Sequence, residues 1–509
     1  MATIQITQIP TETPGSPYEG TSNTYEELVP TNYWQMLPVT VNITDDLSSV
    51  FKVKYILRVY DNSISDANLL ATIKQRTNNK STTTNQVAIF DIKRVVNSVL
   101  KHTYEDANAV DTEIHKIGKN LTSTIFSENE LSVKTIVLKA TWERATSATS
   151  APVEQTSDEV RMTMYFTQAT FPLMTYANLP DSNPLGDYTT ASASKQLMSN
   201  APSMTDFRKL NPAVGGGATK LTGYINYITN TTDFHTIGIQ NKSGWGSDGG
   251  FLGLQYYTSA GALIATYTFP NDATRGGEPP ASSNADKEYL LYAGVGTGNF
   301  ENYVGQAYKN DAGALATFDG QPSGSVARDF AYYRVYMCDD KDGVSDIRST
   351  YYYFVRDFES AVNCKDQQII RLGWINELGA WDYYNFNGGQ TETVNSEKNN
   401  YESVLGSTSL DTGAVYSFNT WGAGTKTLTT KRKLKSTLQT QYISEEEADF
   451  LETLFSSNAV MVIENLATPV SQSVVITNKS FQRMTTAKNK LQIQYTFTIE
   501  YANPLNTNS

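Results

Sequence analysis

The apolar positions of this chain recur mostly with period two, the spacing of a strand with one face buried. In Phe51-Lys52-Val53-Lys54-Tyr55-Ile56-Leu57-Arg58-Val59-Tyr60 every odd position is apolar or aromatic, and three even positions are basic. The last run is cleaner. Ile493, Tyr495, Phe497, Ile499 and Tyr501 alternate there with Gln492, Gln494, Thr496, Thr498 and Glu500. Shorter runs at 131–142, 160–168, 223–228, 251–257, 263–269, 288–293, 331–338, 350–356 and 459–463 read as further strands with Gly-rich joints between many of them. Two segments switch to helical spacing. Asp91 stands as an N-cap before Ile92, Val95, Val96, Val99 and Leu100, which form one stripe and leave Lys93, Arg94 and Lys101 outward. Ser444-Glu445-Glu446-Glu447 reads as a capping box ahead of Ala448, Leu451, Leu454 and Phe455.

The expected fold class is therefore mainly β, with multi-domain β-sandwich or barrel-like modules and a few short helices. Pro10, Pro14, Pro17 and Pro30 mark residues 1–30 as an extended N-terminal arm. Its Ile4, Ile6, Ile9, Tyr18 and Tyr25 suit docking on an adjacent subunit better than solvent. Next come a β-rich domain with one helix at 31–176 and a linker or long loop at 177–220. A Gly/Tyr-rich β domain follows at 221–387, then a loop excursion poor in aliphatics at 388–430, and a C-terminal β module with one helix at 431–509.

Composition narrows the function classes. The 509 residues have material for about three domains. Charged residues are 18% of the chain, against a usual value of about 25%, and no apolar run nears the ~18 residues of a membrane span. The 31 Tyr outnumber Phe and Trp together, a bias suited to strands and wet interfaces. A net charge of −12 argues against binding nucleic acid by bulk electrostatics. The start, Met1-Ala2-Thr3-Ile4, lacks the basic and apolar regions of a signal peptide, which argues against Sec-type export. Cys338 and Cys364 are too few for a disulfide framework and read as free thiols. His102, His115 and His235 lie far apart, so no Cys/His zinc spacing exists.

Each chemical candidate has a blander reading. Gly294-Val295-Gly296-Thr297-Gly298 lacks the G-x-G-x-x-G spacing of a dinucleotide loop and the helix that should follow it. Asp340-Lys341-Asp342-Gly343 resembles part of a calcium loop, but Cys338 and Ser349 occupy its end ligand positions. Asp346 adds only a nearby carboxylate. Glu377 and Asp382, among aromatics, suggest the paired acids of a glycoside hydrolase. Without an independent partner for the pair, the stretch reads instead as a packed corner in which Asp382 caps a turn. Lys431-Arg432-Lys433-Leu434-Lys435 reads as a solvated strand face. Trp245 and Trp421, in Gly-rich loops, suggest a carbohydrate-binding surface. No residue is assigned a catalytic, cofactor-binding or metal-binding role.

Three stretches resemble structural proteins of tailed bacteriophages of Bacteroidetes hosts, the crAss-like phages included. The first runs from Phe51-Lys52-Val53-Lys54-Tyr55 to Phe90-Asp91-Ile92-Lys93-Arg94-Val95. The second runs from Arg371-Leu372-Gly373-Trp374-Ile375-Asn376 into Trp381-Asp382-Tyr383-Tyr384-Asn385-Phe386. The third spans Ser456-Ser457-Asn458-Ala459-Val460 through Tyr501-Ala502-Asn503-Pro504-Leu505. The resemblance implies a virion protein assembled in the host bacterial cytoplasm, a ring or adaptor of the neck, tail or tail hub. Its implied partners are other virion proteins and its own copies in a homo-oligomeric ring, with no sequence-specific nucleic acid and no membrane span. It implies no active site. The alternative expectation is a receptor- or carbohydrate-binding fibre or baseplate component, followed by a glycoside hydrolase.

Overall fold

The computed structural model describes residues 3–77, 86–101, 126–169, 197–201, 234–240, 251–258, 262–270, 290–299, 307–309, 315–317, 332–338, 347–354, 370–463, 471–478 and 493–508, together with His115 and apart from a few positions inside these ranges. Among them the chain is mostly strand, in several sheets, with two α-helices. The fold class is mainly β.

The N-terminal part is two sheets around one core. A three-stranded sheet takes the order β1 (Ile4–Gln8), β3 (Pro38–Ile43), β6 (Val87–Asp91). A five-stranded sheet takes the order β2 (Asn23–Pro30), β9 (Val153–Thr167), β8 (Val133–Ala145), β4 (Phe51–Asp61), β5 (Leu69–Arg76). Ile4, Ile6, Val39 and Val41 of the first sheet join Val53, Tyr55, Leu57, Val59 and Leu138 of the second in one buried cluster. The odd positions of β4 thus face the core, as the alternation requires. Phe51 does not. Lys52 has φ 51°, the pairing with β8 shifts between Phe51 and Lys54, and Phe51 stays 41% exposed. On the other face Lys54 and Lys74 both pair with Glu143, and Arg58 makes a bidentate pair with Glu154 (2.5 and 2.8 Å).

Residues 1–30 therefore do not form a separate arm. Pairing of β1 with β3 puts Ile4 opposite Ile43, Tyr18 bridges to Ile6, and Ile4, Ile6 and Ile9 are buried in their own chain. The prolines lie between or at the ends of these short pairings, where they interrupt no ladder. Helix α1 (Lys93–Val99) buries Ile92, Val96 and Leu100, but its N-cap is Ile92 and not Asp91. Asp91 instead accepts from the amides of Leu37 and Lys93, both 3.0 Å, and so ties the helix start to the chain entering β3.

The middle of the chain forms two more sheets. The order β10 (Leu197–Met198), β11 (Thr236–Gln240), β14 (Leu290–Gly294), β7 (Phe126–Asn129) gives a four-stranded sheet. A six-stranded sheet runs β16 (Leu315–Thr317), β15 (Ala307–Lys309), β13 (Leu263–Pro270), β12 (Phe251–Tyr257), β17 (Tyr332–Cys338), β18 (Ile347–Phe354). Gly253 of β12 sits under the Tyr336 ring, where a Cβ would come within 2.1 Å of it. Boundaries drawn from composition do not survive here. β7, from the stretch assigned to the first domain, pairs with β14, and Leu197–Met198, inside the expected linker, is a buried strand.

An eight-stranded sheet completes the structure. It runs β20 (Trp381–Phe386), β19 (Ile370–Ile375), β25 (Val460–Ile463), β26 (Ser471–Ile476), β27 (Thr496–Tyr501), β24 (Gly424–Gln439), β21 (Gly389–Ser403), with β28 (Leu505–Asn508) also on β24. Helix α2 (Glu445–Ser456) covers it, with Phe455 edge-on to Tyr495 (5.8 Å) and Phe497 (5.3 Å). Ile493, Tyr495, Phe497 and Ile499 are buried, as their alternation predicts. Ser444 lies outside the described residues. The hairpin β19–β20, assigned by sequence to the 221–387 domain, belongs to this C-terminal sheet. One apolar cluster runs without a break from β12 and β17 through β19 and β20 to α2 and β27.

The expected loop at 388–430 is also corrected. It is a two-stranded ribbon, β21 against β24 over their whole length, carrying the small hairpin β22 (Gly406–Ser409) and β23 (Val415–Phe418). Thr is its main β-favouring residue and aliphatics are few, so a scan for aliphatic alternation passes over it.

Candidate functional site

The hairpin β19–β20 holds a set of buried polar groups, Arg371, Asn376, Asp382 and Asn385, near the meeting point of the three parts of the chain. Leu28, Val133 and Tyr165 from the first part meet Met198, Phe234 and Tyr292 from the second and Trp381, Tyr383 and Ile463 from the third. Ile370–Ile375 and Trp381–Phe386 are buried at every position, so this hairpin has no solvent face. A polar side chain here needs an internal partner.

Asp382 finds three. Ser199 donates its hydroxyl to Oδ1, while the Asn200 amide (2.9 Å) and Asn376 Nδ2 (3.0 Å) donate to Oδ2. Burial nonetheless dominates and pushes the carboxyl up to about 6. Asn376 is the hub of the turn. Its Oδ1 accepts from the amides of Leu378 and Ala380, both 3.0 Å, and its Nδ2 also donates to the Met198 carbonyl (3.1 Å). The turn is thus capped by Asn376 and not by Asp382, whose carboxylate ties the hairpin to β10. Gly379 takes φ 87° in this turn, and a Cβ there would lie 2.9 Å from Thr167 Oγ1. Both the conformation and the close approach to β9 call for glycine.

A second network lies along the other face. Arg371 is buried and donates from Nε to the Phe234 carbonyl (2.8 Å), from one terminal nitrogen to Asn385 Oδ1 (2.9 Å) and from the other to His235 Nδ1 (3.0 Å). That last bond assigns His235 its neutral form with the proton on Nε2. Burial, then the Arg371 charge, hold its pKa well below 6.5. The guanidinium also lies 5.2 Å from the centre of the Tyr383 ring. Tyr383 covers Gly373, and its hydroxyl meets Thr236 Oγ1 (2.5 Å) and His115 Nδ1 (2.7 Å). Two histidines distant in sequence therefore converge on one tyrosine.

Against this geometry the predicted chemistry loses its acid pair. Both oxygens of Asp382 are engaged internally. Glu377 lines a cleft beside Gln168, Ser457 and Asn458 with room for about one water molecule. Burial, then the Glu452 charge, push its carboxyl up to about 7. A raised acid suits general acid chemistry, but a sugar does not fit this cleft. The Gly294–Gly296 amides are likewise engaged. Val295 and Gly296 both donate to the His235 carbonyl (2.8 and 3.0 Å), and Asn299 Oδ1 accepts from His235 and Gly296. Such amides are not offered to a phosphate. Lys433 and Lys435 of the basic run pair with Glu500 (2.8 and 3.1 Å) on the adjacent strand.

No family model and no curated protein matches the chain. Among the described residues no three His, Cys, Asp or Glu side chains are grouped to hold a metal, and no helix is long and apolar enough to cross a membrane. His102, Trp245, Asp340, Asp342, Asp346, Cys364, Trp421 and the Cys338 side chain lie outside the described residues.

Sequence reasoning weighed Glu377 and Asp382 but missed Arg371, His235, Asn376 and Tyr383. A signal existed. Arg371 is the one charged residue in Ile370–Ile375, a run otherwise without solvent-facing character. A charge in such a strand implies a built internal site.

Proposed function

We propose that the chain is a structural subunit of a tailed-phage virion, a ring or adaptor of the neck, tail or tail hub, and not an enzyme. It acts through assembly with other virion proteins and with its own copies. The three stretches similar to phage structural proteins support this reading, and one structural observation carries it: the buried polar side chains of the β19–β20 hairpin hold the parts of the chain to one another. Asp382 links β20 to β10, Arg371 links β19 to the strand entry at Phe234, and Asn376 shapes the turn that meets β9. An internal framework of this kind suits a subunit that bears load at its interfaces. The test is mass spectrometry of purified virions, with negative-stain imaging of the isolated protein. Copies in the particle and closed rings are expected. Absence from virions sinks the proposal.

A further inference from the structure

The eight-stranded sheet has two ends of opposite character. At one end β20 is buried along its whole length. At the other, β21 is the last described strand, fifteen residues long, with its side chains exposed from Thr391 to Glu402. Among the described residues that edge, about 50 Å long, has no strand beside it. Proteins guard such edges with proline, short strands or inward charges. β21 has no proline and is one of the longest strands in the chain.

Its charges are placed in a particular way. Glu392 and Lys398 lie on the same face of β21, six residues apart, opposite uncharged Ser436 and Thr430 of β24. Among the described residues neither has an ion-pair partner; Glu392 accepts only a hydrogen bond from Gln390 (3.1 Å). A second β21, related by a twofold axis through Asn395, would place residue i opposite residue 790 − i. Glu392 then faces Lys398 of the other copy, and Lys398 faces its Glu392. Val394 faces Ser396, Thr393 faces Glu397, Thr391 faces Asn399, and no like charges meet from Gly389 to Tyr401. Centring the axis on Glu397 instead would oppose Glu397 to itself and Glu392 to Glu402. An axis through Asn400 would also set Lys398 against Glu402, but it joins only residues 397–403 and crosses the irregularity between Asn399 and Asn400. The Asn395 axis pairs Gly389 through Tyr401, so charge and length of pairing together favour the Asn395 register.

We infer that the β21 edge is an interface between two copies of this chain, paired antiparallel about Asn395 so that the two ribbons form one continuous sheet. A head-to-tail arrangement through the opposite end of the sheet is closed, because β20 is covered. The contact is isologous and closes as a dimer. It rests on the sheet edge alone and not on the proposed virion role, so a chain missing from virions would leave it standing.

The experiment is sedimentation equilibrium of the full chain from about 1 to about 200 µM, on the wild type, Glu392→Lys, Lys398→Glu and the double exchange. Each single exchange creates two like-charged pairs and should weaken the dimer about tenfold. The double exchange should return it to within about threefold of wild type. All four side chains involved in a dimer are exposed, so circular dichroism should not change. As a second measurement, Asn395→Cys should form a disulfide-linked dimer on oxidation, whereas Thr391→Cys should not, with the wild type as control for its own two cysteines. A monomer throughout the range, single exchanges without effect, a double exchange that fails to restore pairing, or equal cross-linking of both cysteine variants would each overturn the inference.

Discussion

Replacing Asp382 by Asn changes one atom in the buried network and removes its only titration. In the folded chain burial raises the carboxyl from 3.8 to about 6, so the native state holds the proton more tightly than the unfolded one. Stability contributed at this site is then highest below about pH 4, falls as pH rises through about 6, and is flat above. Two pKa units correspond to about 3 kcal/mol. The asparagine amide can meet the same partners, its oxygen accepting from Asn200 and Asn376 and its nitrogen donating to Ser199. The variant should therefore lie within about 1 kcal/mol of wild type at pH 4 and gain about 3 kcal/mol on it by pH 7. Asp382→Ala separates this from mere tolerance. It strands the donors of Ser199, Asn200 and Asn376 and should cost about 3–5 kcal/mol at pH 4. Urea unfolding followed by tryptophan fluorescence includes the hairpin, because two of the six tryptophans, Trp374 and Trp381, lie in its two strands. A difference between the Asp382→Asn variant and wild type that stays constant from pH 4 to 7 would refute the buried-carboxylate account.

Arg371→Lys should cost about 3 kcal/mol in the same assay, since an ammonium cannot reach Phe234, Asn385 and His235 in the fixed fork of a guanidinium. Phe497→Ala should cost about 3–5 kcal/mol, as the ring packs 5.0 Å from Phe386 and 5.3 Å from Phe455; Thr496→Ala, on the exposed side, should cost under about 0.5 kcal/mol. Deleting residues 1–30 removes β1 and β2 from their sheets and should lower the melting temperature of the monomer. An unchanged melting temperature would mean that Ile4, Ile6 and Ile9 are not part of the core described above.

Where burial follows from local alternation, the sequence alone determined the structure. The strand β27 is legible because apolar side chains at every second position can be satisfied only by one buried face, and α2 because its stripe has the helical period. The strands 251–257 and 263–269 are legible from their β-branched and aromatic content, although residues of both faces are buried there, Gln255 and Thr268 included. What tertiary structure decided are the elements whose neighbours come from far along the chain. Ile4, Ile6 and Ile9 look like a tail until β3, some thirty-five residues on, supplies backbone partners. The ribbon β21–β24 has almost no buried side chains, so no pattern of burial announces it; backbone pairing alone makes it a strand pair. The buried site depended most on tertiary structure. Arg371, His235, Tyr383 and Asp382 find their hydrogen-bond partners more than a hundred positions away, such as Ser199 for Asp382 and Phe234 for Arg371. Burial among those partners is what raises the Asp382 carboxyl and lowers the His235 imidazole. Sequence carries the local period, whereas desolvation and the pairing of distant polar groups exist only once the sheets have closed around them.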